Sequence, residues 1–97
     1  MNETILIVDD EKKITDLVEI HLKNDGYQVC KCSSGKEALA GIETQKIDLA
    51  ILDIMLPDID GFSLCKKIRE AYYFPIIMLT AKVEDIDKIK GLTMGAD

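Results

Sequence analysis

The sequence predicts an α/β fold built on a doubly wound parallel sheet, with helices on both faces. Strand and helix signals alternate four times along the 97 residues, and the connections between them are short. The apolar runs at residues 5–8 and 49–52 are unbroken, as in parallel strands that are buried on both sides. We therefore expect one domain over residues 1–97, which buries about 60–65% of the surface of the unfolded chain.

The first strand is predicted at about residues 4–9 and the first helix at about residues 11–25. The helix carries apolar residues at the i, i+3, i+4 and i+8 positions of one face: Ile14, Leu17, Val18 and Leu22. Asp10 is placed to cap the N-terminus of this helix. Gly26 suits its C-terminal end, where a residue in the left-handed conformation commonly ends a helix.

The second strand–helix unit begins with residues 27–32, which mix apolar and polar side chains and therefore fit an edge strand better than a central one. Residues 34–37 (Ser-Gly-Lys-Glu) match a capping box, in which the serine and glutamate side chains satisfy backbone N–H groups at the start of a helix. The helix that follows is expected to bury three apolar residues: Ala38, Leu39 and Ile42.

Two further units complete the alternation. The third strand covers about residues 48–53, and a loop rich in turn-forming residues follows it. The helix after that loop is expected to turn three side chains inward: Phe62, Cys65 and Ile68. Pro75 starts a fourth strand that continues over residues 76–80, and a last helix with acids in its first turn is predicted at about residues 84–94.

Carboxylates stand at the ends of two predicted strands: Asp9 and Asp10 after the first, and Asp53 at the end of the third. Bringing like charges together away from water is costly unless a cation binds them. Ligands in such folds bind beyond the carboxyl ends of the strands. If the two strands are parallel neighbours, the three acids converge there, where they can hold Mg²⁺ and offer an oxygen nucleophile to a phosphoryl group.

Two more groups complete the predicted site. A backbone carbonyl in the loop after Asp53 would add a metal ligand, and that of Met55 is well placed for this role. The hydroxyl of Thr80, at the end of the fourth strand, can donate a hydrogen bond to a phosphoryl oxygen once one is present. The side chains of Met55 and Met78 are expected to pack in the interior.

Each of these residues has a structural interpretation when it is taken alone. Asp9 and Asp10 suit the acidic start of a helix, Asp53 suits a turn at the end of a strand, and Thr80 suits a structural hydroxyl. Their joint occurrence at three strand ends favours the metal site. The chain contains neither GxxxxGK[ST] nor GxGxxG. A phosphohydrolase of the haloacid dehalogenase type also uses Mg²⁺ and a strand-end aspartate, but it needs a second aspartate where this chain has Met55.

The composition argues against several classes of protein. A net charge of −6 and a pI near 4.7 disfavour direct nucleic-acid binding by this segment. Cys30, Cys32 and Cys65 match neither a disulfide framework nor a zinc site, so we expect reduced thiols in a cytoplasmic protein. The N-terminus has no signal-peptide pattern, and no stretch approaches about 18 apolar residues, so we expect neither secretion nor a membrane span.

Four motifs follow one another along the chain. They are Ile5-Leu6-Ile7-Val8-Asp9-Asp10-Glu11, then Asp53-Ile54-Met55-Leu56-Pro57-Asp58 with Asp60-Gly61, then Pro75-Ile76-Ile77-Met78-Leu79-Thr80-Ala81, and Gly91-Leu92 with Gly95-Ala96-Asp97. With these motifs the whole chain resembles the receiver domain of two-component response regulators. Within that family, it is most similar to the OmpR/PhoB type of transcriptional regulator, the group that includes the VanR-like regulators.

The resemblance implies a role for each site residue. Asp53 would accept a phosphoryl group from a histidine of a sensor histidine kinase. Asp10, Asp53 and the Met55 carbonyl would bind Mg²⁺, with Asp9 in the outer part of the site, and Thr80 would be the switch hydroxyl. The family's phosphotransfer is self-catalysed, so the protein is not classed as an enzyme. The family's sheet is flavodoxin-like, with strand order 2-1-3-4-5.

The chain departs from the family pattern at its C-terminal end. The family has a fifth strand, which carries a phosphate-pairing lysine and a switch aromatic, and a fifth helix; residues 1–97 stop short of all of these, which leaves the order 2-1-3-4. A charged hydrogen bond of this kind contributes roughly 1.5–3 kcal/mol, so weaker phosphorylation without loss of metal binding is expected. The fourth strand becomes an open edge, which favours a homodimer or a strand-swapped oligomer.

Three functions stay open on the sequence alone. The first is a phosphorylation-controlled switch that acts on DNA only through a C-terminal domain absent from these residues. The second is a Mg²⁺-dependent phosphohydrolase that acts through an aspartyl phosphate, for which steady release of phosphate from a small monoester would be diagnostic. The third is an interaction module that is not phosphorylated and responds to neither Mg²⁺ nor beryllofluoride.

Overall fold

The computed structural model describes residues 2–79, which form one four-stranded sheet and three helices. The strands are β1 (Thr4–Val8), β2 (Gln28–Cys32), β3 (Leu49–Asp53) and β4 (Ile76–Leu79), and the helices are α1 (Lys12–Asn24), α2 (Gly35–Thr44) and α3 (Gly61–Arg69). The alternation of strands and helices predicted from the sequence is confirmed over this range.

All pairs of neighbouring strands are parallel, and the strand order is β2-β1-β3-β4. This is the predicted flavodoxin-like order, with β2 at one edge. Each connection passes through a helix, as parallel strands require. Strands β1 and β3 lie side by side, with Val8 paired to Leu52. The residues that follow these two strands therefore leave the sheet at the same edge.

The main core lies between the sheet and helices α2 and α3. Its buried residues on these elements are Leu6, Val8, Cys32, Ala50, Leu52, Ile76 and Met78 from the strands and Ala38, Ile42, Leu64, Cys65 and Ile68 from the helices. Side chains alternate along each strand, so Ile5, Ile51 and Ile77 face the other side of the sheet, where Leu22 of α1 lies near them. Helices thus lie on both faces, as a doubly wound sheet requires.

The predicted bounds of α1 are confirmed to within one residue, but the predicted capping residue is wrong. Asp10 is not the cap: Glu11 is the N-cap residue and makes no side-chain capping bond. The N–H of Glu11 instead donates to Asp9 Oδ1 at 2.8 Å. At the other end, Gly26 has a φ of 95°, and its N–H donates to the carbonyl oxygen of Lys23 at 3.0 Å. This left-handed conformation favours glycine.

The predicted capping box at α2 forms in a modified way. Ser34 is the N-cap, and its hydroxyl accepts a hydrogen bond from the N–H of Glu37 at 3.1 Å. The Glu37 carboxylate reaches back one residue further than in the usual motif, because it accepts from the N–H of Ser33 at 2.8 Å.

Three predicted inward side chains are exposed. Leu17 is 57% exposed, because it lies at the border of the α1 stripe that includes the half-buried Val18. Phe62 is 58% exposed, because it is two residues, or about 200° around the helix axis, from the buried Leu64. The Met55 side chain is 57% exposed, because it belongs to the loop after β3 and not to the packed layers.

Two predictions concern residues beyond Leu79. Thr80 and the helix predicted at about residues 84–94 lie outside the described residues. Within residues 2–79, no helix combines the length and the apolar character needed to span a bilayer. No disulfide joins Cys30, Cys32 or Cys65 within these described residues.

Candidate acidic metal site

Three carboxylates converge where β1 and β3 end. Asp9, Asp10 and Asp53 each place an oxygen so that these atoms all lie within 4.8 Å of one another. Asp9 is buried, Asp53 is half-buried and Asp10 is exposed. The parallel pairing of Val8 with Leu52 produces this arrangement, because Asp9 and Asp53 are the next residues of the two chains. The cluster is thus closed on the side of the sheet and open on the side of Asp10.

Asp9 is a carboxylate held in an unfavourable environment. Asp9 is 3% exposed; Oδ1 accepts the N–H of Glu11, whereas the buried Oδ2 has no hydrogen-bond partner among residues 2–79. Burial, together with the negative charges of Asp53, Asp10 and Glu11, raises the pKa of Asp9 to about 6, although the hydrogen bond from the Glu11 N–H opposes this rise. A buried polar atom without a partner is rare in folded proteins, and a cation at this position would satisfy it.

Asp53 is the last residue of β3, and its backbone neighbours fix the start of the following loop. Its Oδ1 accepts a hydrogen bond from the N–H of Met55 at 3.2 Å. The N–H of Ile54 donates to the carbonyl oxygen of Leu79 at 3.2 Å, which ties the loop to the end of β4. Met55, the predicted donor of a carbonyl ligand, is therefore attached directly to the side chain of the predicted phosphoacceptor.

The loop after β3 is closed at its base. The carbonyl oxygen of Ile54 accepts the N–H of Gly61 at 2.7 Å, and Met55 forms an antiparallel bridge with Asp60. Gly61 is required at this point, because a Cβ atom there would overlap the carbonyl oxygen of Asp53 and come within 2.9 Å of the Ile54 Cα. The N-terminus of α3 therefore approaches the backbone of Asp53 and Ile54 more closely than any residue with a side chain would permit.

Two nearby acids are engaged elsewhere. Asp60 caps α3, accepting the N–H of Ser63 at 2.9 Å and its hydroxyl at 2.7 Å, and these bonds lower the pKa of Asp60. Asp58 accepts two backbone N–H groups of α2. From the sequence, both residues were expected only to belong to the turn-rich loop after the third strand. The Asp60-x-x-Ser63 spacing was a usable signal for the first, but no local pattern marks the second.

The site fits a hard divalent cation. Carboxylate and carbonyl oxygens are the ligands that Mg²⁺ prefers, and an exposed side leaves room for the waters that it keeps. The three predicted carboxylates are brought together, and Met55 adjoins them. Thr80, the fourth predicted side chain of the site, lies outside the described residues.

The chain is similar to a large set of regulatory proteins. The family model described as "Response regulator receiver domain" matches residues 5–97. Over the whole chain, the sequence is 58% identical to the regulatory protein VanR of Enterococcus faecium and 57% identical to VanRc of Enterococcus gallinarum. It is 51% identical to the alkaline phosphatase synthesis transcriptional regulatory protein PhoP of Bacillus subtilis. The chain spans 41–42% of the length of these relatives.

Solved structures show the same fold. The chemotaxis response regulator CheY4 of Vibrio cholerae matches with a TM-score of 0.81 and 32% identity, over 98% of this chain and 82% of that one. A putative response regulator of Chloroflexus aurantiacus is 40% identical, with a TM-score of 0.81 over 100% and 82% of the two chains. The response regulator TrrA of Thermotoga maritima, in complex with Mg²⁺ and BeF, is 34% identical with a TM-score of 0.78, over 92% and 78% of the two chains.

Proposed function

Because the chain belongs to the response regulator receiver domain family, we propose that Asp53 accepts a phosphoryl group in a Mg²⁺-dependent reaction, and that this phosphorylation switches the conformation of the domain. The observation that carries the proposal is the convergence of Asp9, Asp10 and Asp53, whose oxygens lie within 4.8 Å of one another. Residues 1–97 act as one receiver domain in this proposal.

The residues present supply a suitable set of metal ligands. Asp10 and Asp53 would hold the cation through carboxylate oxygens, and Met55 through its carbonyl. Asp9 would lie in the outer part of the site, with its buried Oδ2 available to the ion directly or through a water. Bound Mg²⁺ would supply positive charge that offsets the negative charge of the carboxylates and of an incoming phosphoryl group.

Asp53 is the nucleophile. One of its carboxylate oxygens attacks the phosphorus of a phosphohistidine in a sensor histidine kinase, the P–N bond breaks, and the imidazole leaves with its electron pair and takes up a proton. The product is an acyl phosphate on Asp53. The half-buried side chain of Asp53 and the open side of the cluster at Asp10 give the donor access to the reacting atom.

The phosphoryl group then favours a second conformation. It adds negative charge and three acceptor oxygens at the end of β3, and the hydroxyl of Thr80 donates to one of them. A conformation that places this hydroxyl correctly binds the phosphoryl group better, so its population rises. The output is control of transcription through a DNA-binding segment outside these 97 residues, and the site of action is the cytoplasm.

Intact-mass measurements with acetyl phosphate as the donor test the proposal. With Mg²⁺, the protein should gain one phosphoryl group per chain, and it should gain none in EDTA or as Asp53→Asn. The matched control is Asp25→Asn, which neutralises an exposed acid at the far end of α1 and should leave the adduct unchanged.

The same experiment separates the alternative functions. Continuous release of phosphate, without an adduct that accumulates, would replace the switch with a phosphohydrolase. An unmodified mass, together with an NMR spectrum unchanged by Mg²⁺ and beryllofluoride, would leave an interaction module that is not phosphorylated.

A further inference from the structure

We propose that Asp58 is a positioning residue for the metal site: it fastens the loop after β3 to the N-terminus of α2 and so holds the Met55 carbonyl where it can reach the cation. This inference rests on the proposed function, since it concerns the same site. Asp58 itself touches neither the cation nor the phosphoryl group in this proposal.

The attachment consists of two hydrogen bonds from one carboxylate. Asp58 Oδ1 accepts the N–H of Gly35 at 2.9 Å, and Oδ2 accepts the N–H of Lys36 at 3.0 Å. The first N–H groups of a helix have no partner within the helix, and its N-terminus carries a partial positive charge. A carboxylate that spans two of these groups is therefore held in position and direction. The same bonds hold the pKa of Asp58 below its ordinary value.

The contact also has an apolar half. A Cβ atom at Gly35 would overlap Cγ2 of Ile59, so the loop and the first turn of α2 pack against each other without a gap. Ile59 in turn packs against the buried core cluster. Two successive residues of the loop thus contact α2 in different ways: Asp58 through hydrogen bonds and Ile59 through apolar packing.

The geometry of the loop transmits this attachment to Met55. The base of the loop is closed by the bond from Gly61 to Ile54, and the attachment to α2 fixes its tip. Met55 lies between these two fixed points. Pro57, with its restricted φ, separates Met55 from Asp58 by a stiff link. A displacement of the tip should therefore rotate the peptide planes next to Met55 and not be absorbed on the way.

The competing interpretation is that Asp58 only stabilises α2. Ser34 provides a matched control, because its hydroxyl accepts the next N–H of the same helix, that of Glu37, at 3.1 Å. Ser34→Ala and Asp58→Ala each remove a side-chain partner from the first turn of α2, but only Asp58 belongs to the loop. If Asp58 had a purely structural role, the two variants should change the Mg²⁺ affinity of the site to a similar extent.

The test measures Mg²⁺ affinity by isothermal titration calorimetry and the phosphorylation rate with acetyl phosphate as a function of Mg²⁺ concentration. Asp58→Ala should weaken Mg²⁺ binding about tenfold, the lower end of the effect of removing groups that orient metal ligands. Asp58→Asn keeps one acceptor oxygen and should weaken it less. The Mg²⁺ affinity of Ser34→Ala should stay within about twofold of that of the wild type, which is a smaller change than the loss of a group that orients a metal ligand would cause. At saturating Mg²⁺, Asp58→Ala should be phosphorylated at nearly the wild-type rate.

The opposite results would overturn the inference. Equal Mg²⁺ affinities for Asp58→Ala and the wild type, or equal losses for Asp58→Ala and Ser34→Ala, would reduce Asp58 to a helix cap. A rate that stays low in Asp58→Ala at saturating Mg²⁺ would place its effect on the phosphoryl transfer and not on the metal. If the wild type itself bound no Mg²⁺, the proposed function would fail together with the inference.

Discussion

Replacing Asp9 with asparagine should stabilise the metal-free protein at neutral pH while it weakens Mg²⁺ binding. Asp9 is 3% exposed, its Oδ2 finds no hydrogen-bond partner within the described part of the chain, and Asp10 and Asp53 place two further carboxylates beside it. Asparagine has nearly the same shape without the charge. It therefore removes the repulsion and the cost of burying a charge, and it removes the interaction with the cation as well.

The size of the effect follows from the pKa of Asp9, which is raised from 3.8 to about 6. This rise in pKa corresponds to a loss of about 3 kcal/mol in the free energy of unfolding when Asp9 is ionised, which is an upper bound. The cluster is open to water at Asp10, and solvent screening reduces such interactions, so we expect a gain of about 1–2 kcal/mol in the free energy of unfolding.

The sign of the pH dependence distinguishes this effect from ordinary repacking. Between pH 4 and 6 the unfolded chain releases the Asp9 proton before the folded protein does, so the contribution of Asp9 to wild-type stability is largest below pH 4, falls across this window and levels off above it. Asp9→Asn lacks this contribution. The two proteins should therefore be equally stable near pH 4 and differ most near pH 7.

Urea denaturation in EDTA at pH 4 and pH 7 measures the difference, with Asp25→Asn as the control for loss of an exposed acid. Millimolar Mg²⁺ at pH 7 should reduce or reverse the advantage of Asp9→Asn, because the cation stabilises mainly the wild type. A lower stability of Asp9→Asn than of the wild type in EDTA at pH 7 would show that the charge of Asp9 does not destabilise the fold. An equal difference in stability at both pH values would show that the effect does not come from the ionisation of Asp9.

Two further predictions concern the same edge of the sheet. Millimolar Mg²⁺ should raise the melting temperature of the wild type in differential scanning fluorimetry, and Asp53→Asn should reduce this gain; identical melting with and without Mg²⁺ would mean that the acids bind no metal. Gly61→Ala should lower the free energy of unfolding by about 1–3 kcal/mol in urea, because its Cβ would overlap backbone atoms that cannot move aside. The control Gly41→Ala, where the nearest atom would be a Cys30 sulfur at 3.4 Å, should stabilise α2 by about 0.5–1 kcal/mol, and equal losses for both variants would contradict the steric argument.

The sheet and the acidic cluster could be predicted because their determinants are local in the sequence. The apolar runs of β1 and β3 each end in acid, so their parallel pairing brings Asp9 and Asp53 together once the fold class is known. The edge position of β2 followed from its mixed pattern in the same way.

The features that were missed depend on three-dimensional neighbours. The two hydrogen bonds that Asp58 accepts come from residues 22 and 23 positions away in the sequence, and no periodic pattern encodes them. The capping role predicted for Asp10 fails because Asp9 takes the N–H of Glu11. Phe62 was assigned to the interior by spacing alone, although the buried stripe of α3 is centred on other residues.

Anomalous diffraction from crystals soaked in Mn²⁺ would show whether the three acids bind a divalent cation, because Mn²⁺ accepts the same oxygen ligands as Mg²⁺ and its position can be located without ambiguity. We expect one strong peak about 2 Å from carboxylate oxygens of Asp10 and Asp53 and from the Met55 carbonyl oxygen. A map with no peak between the ends of β1 and β3, or with the ion bound elsewhere, would contradict this expectation.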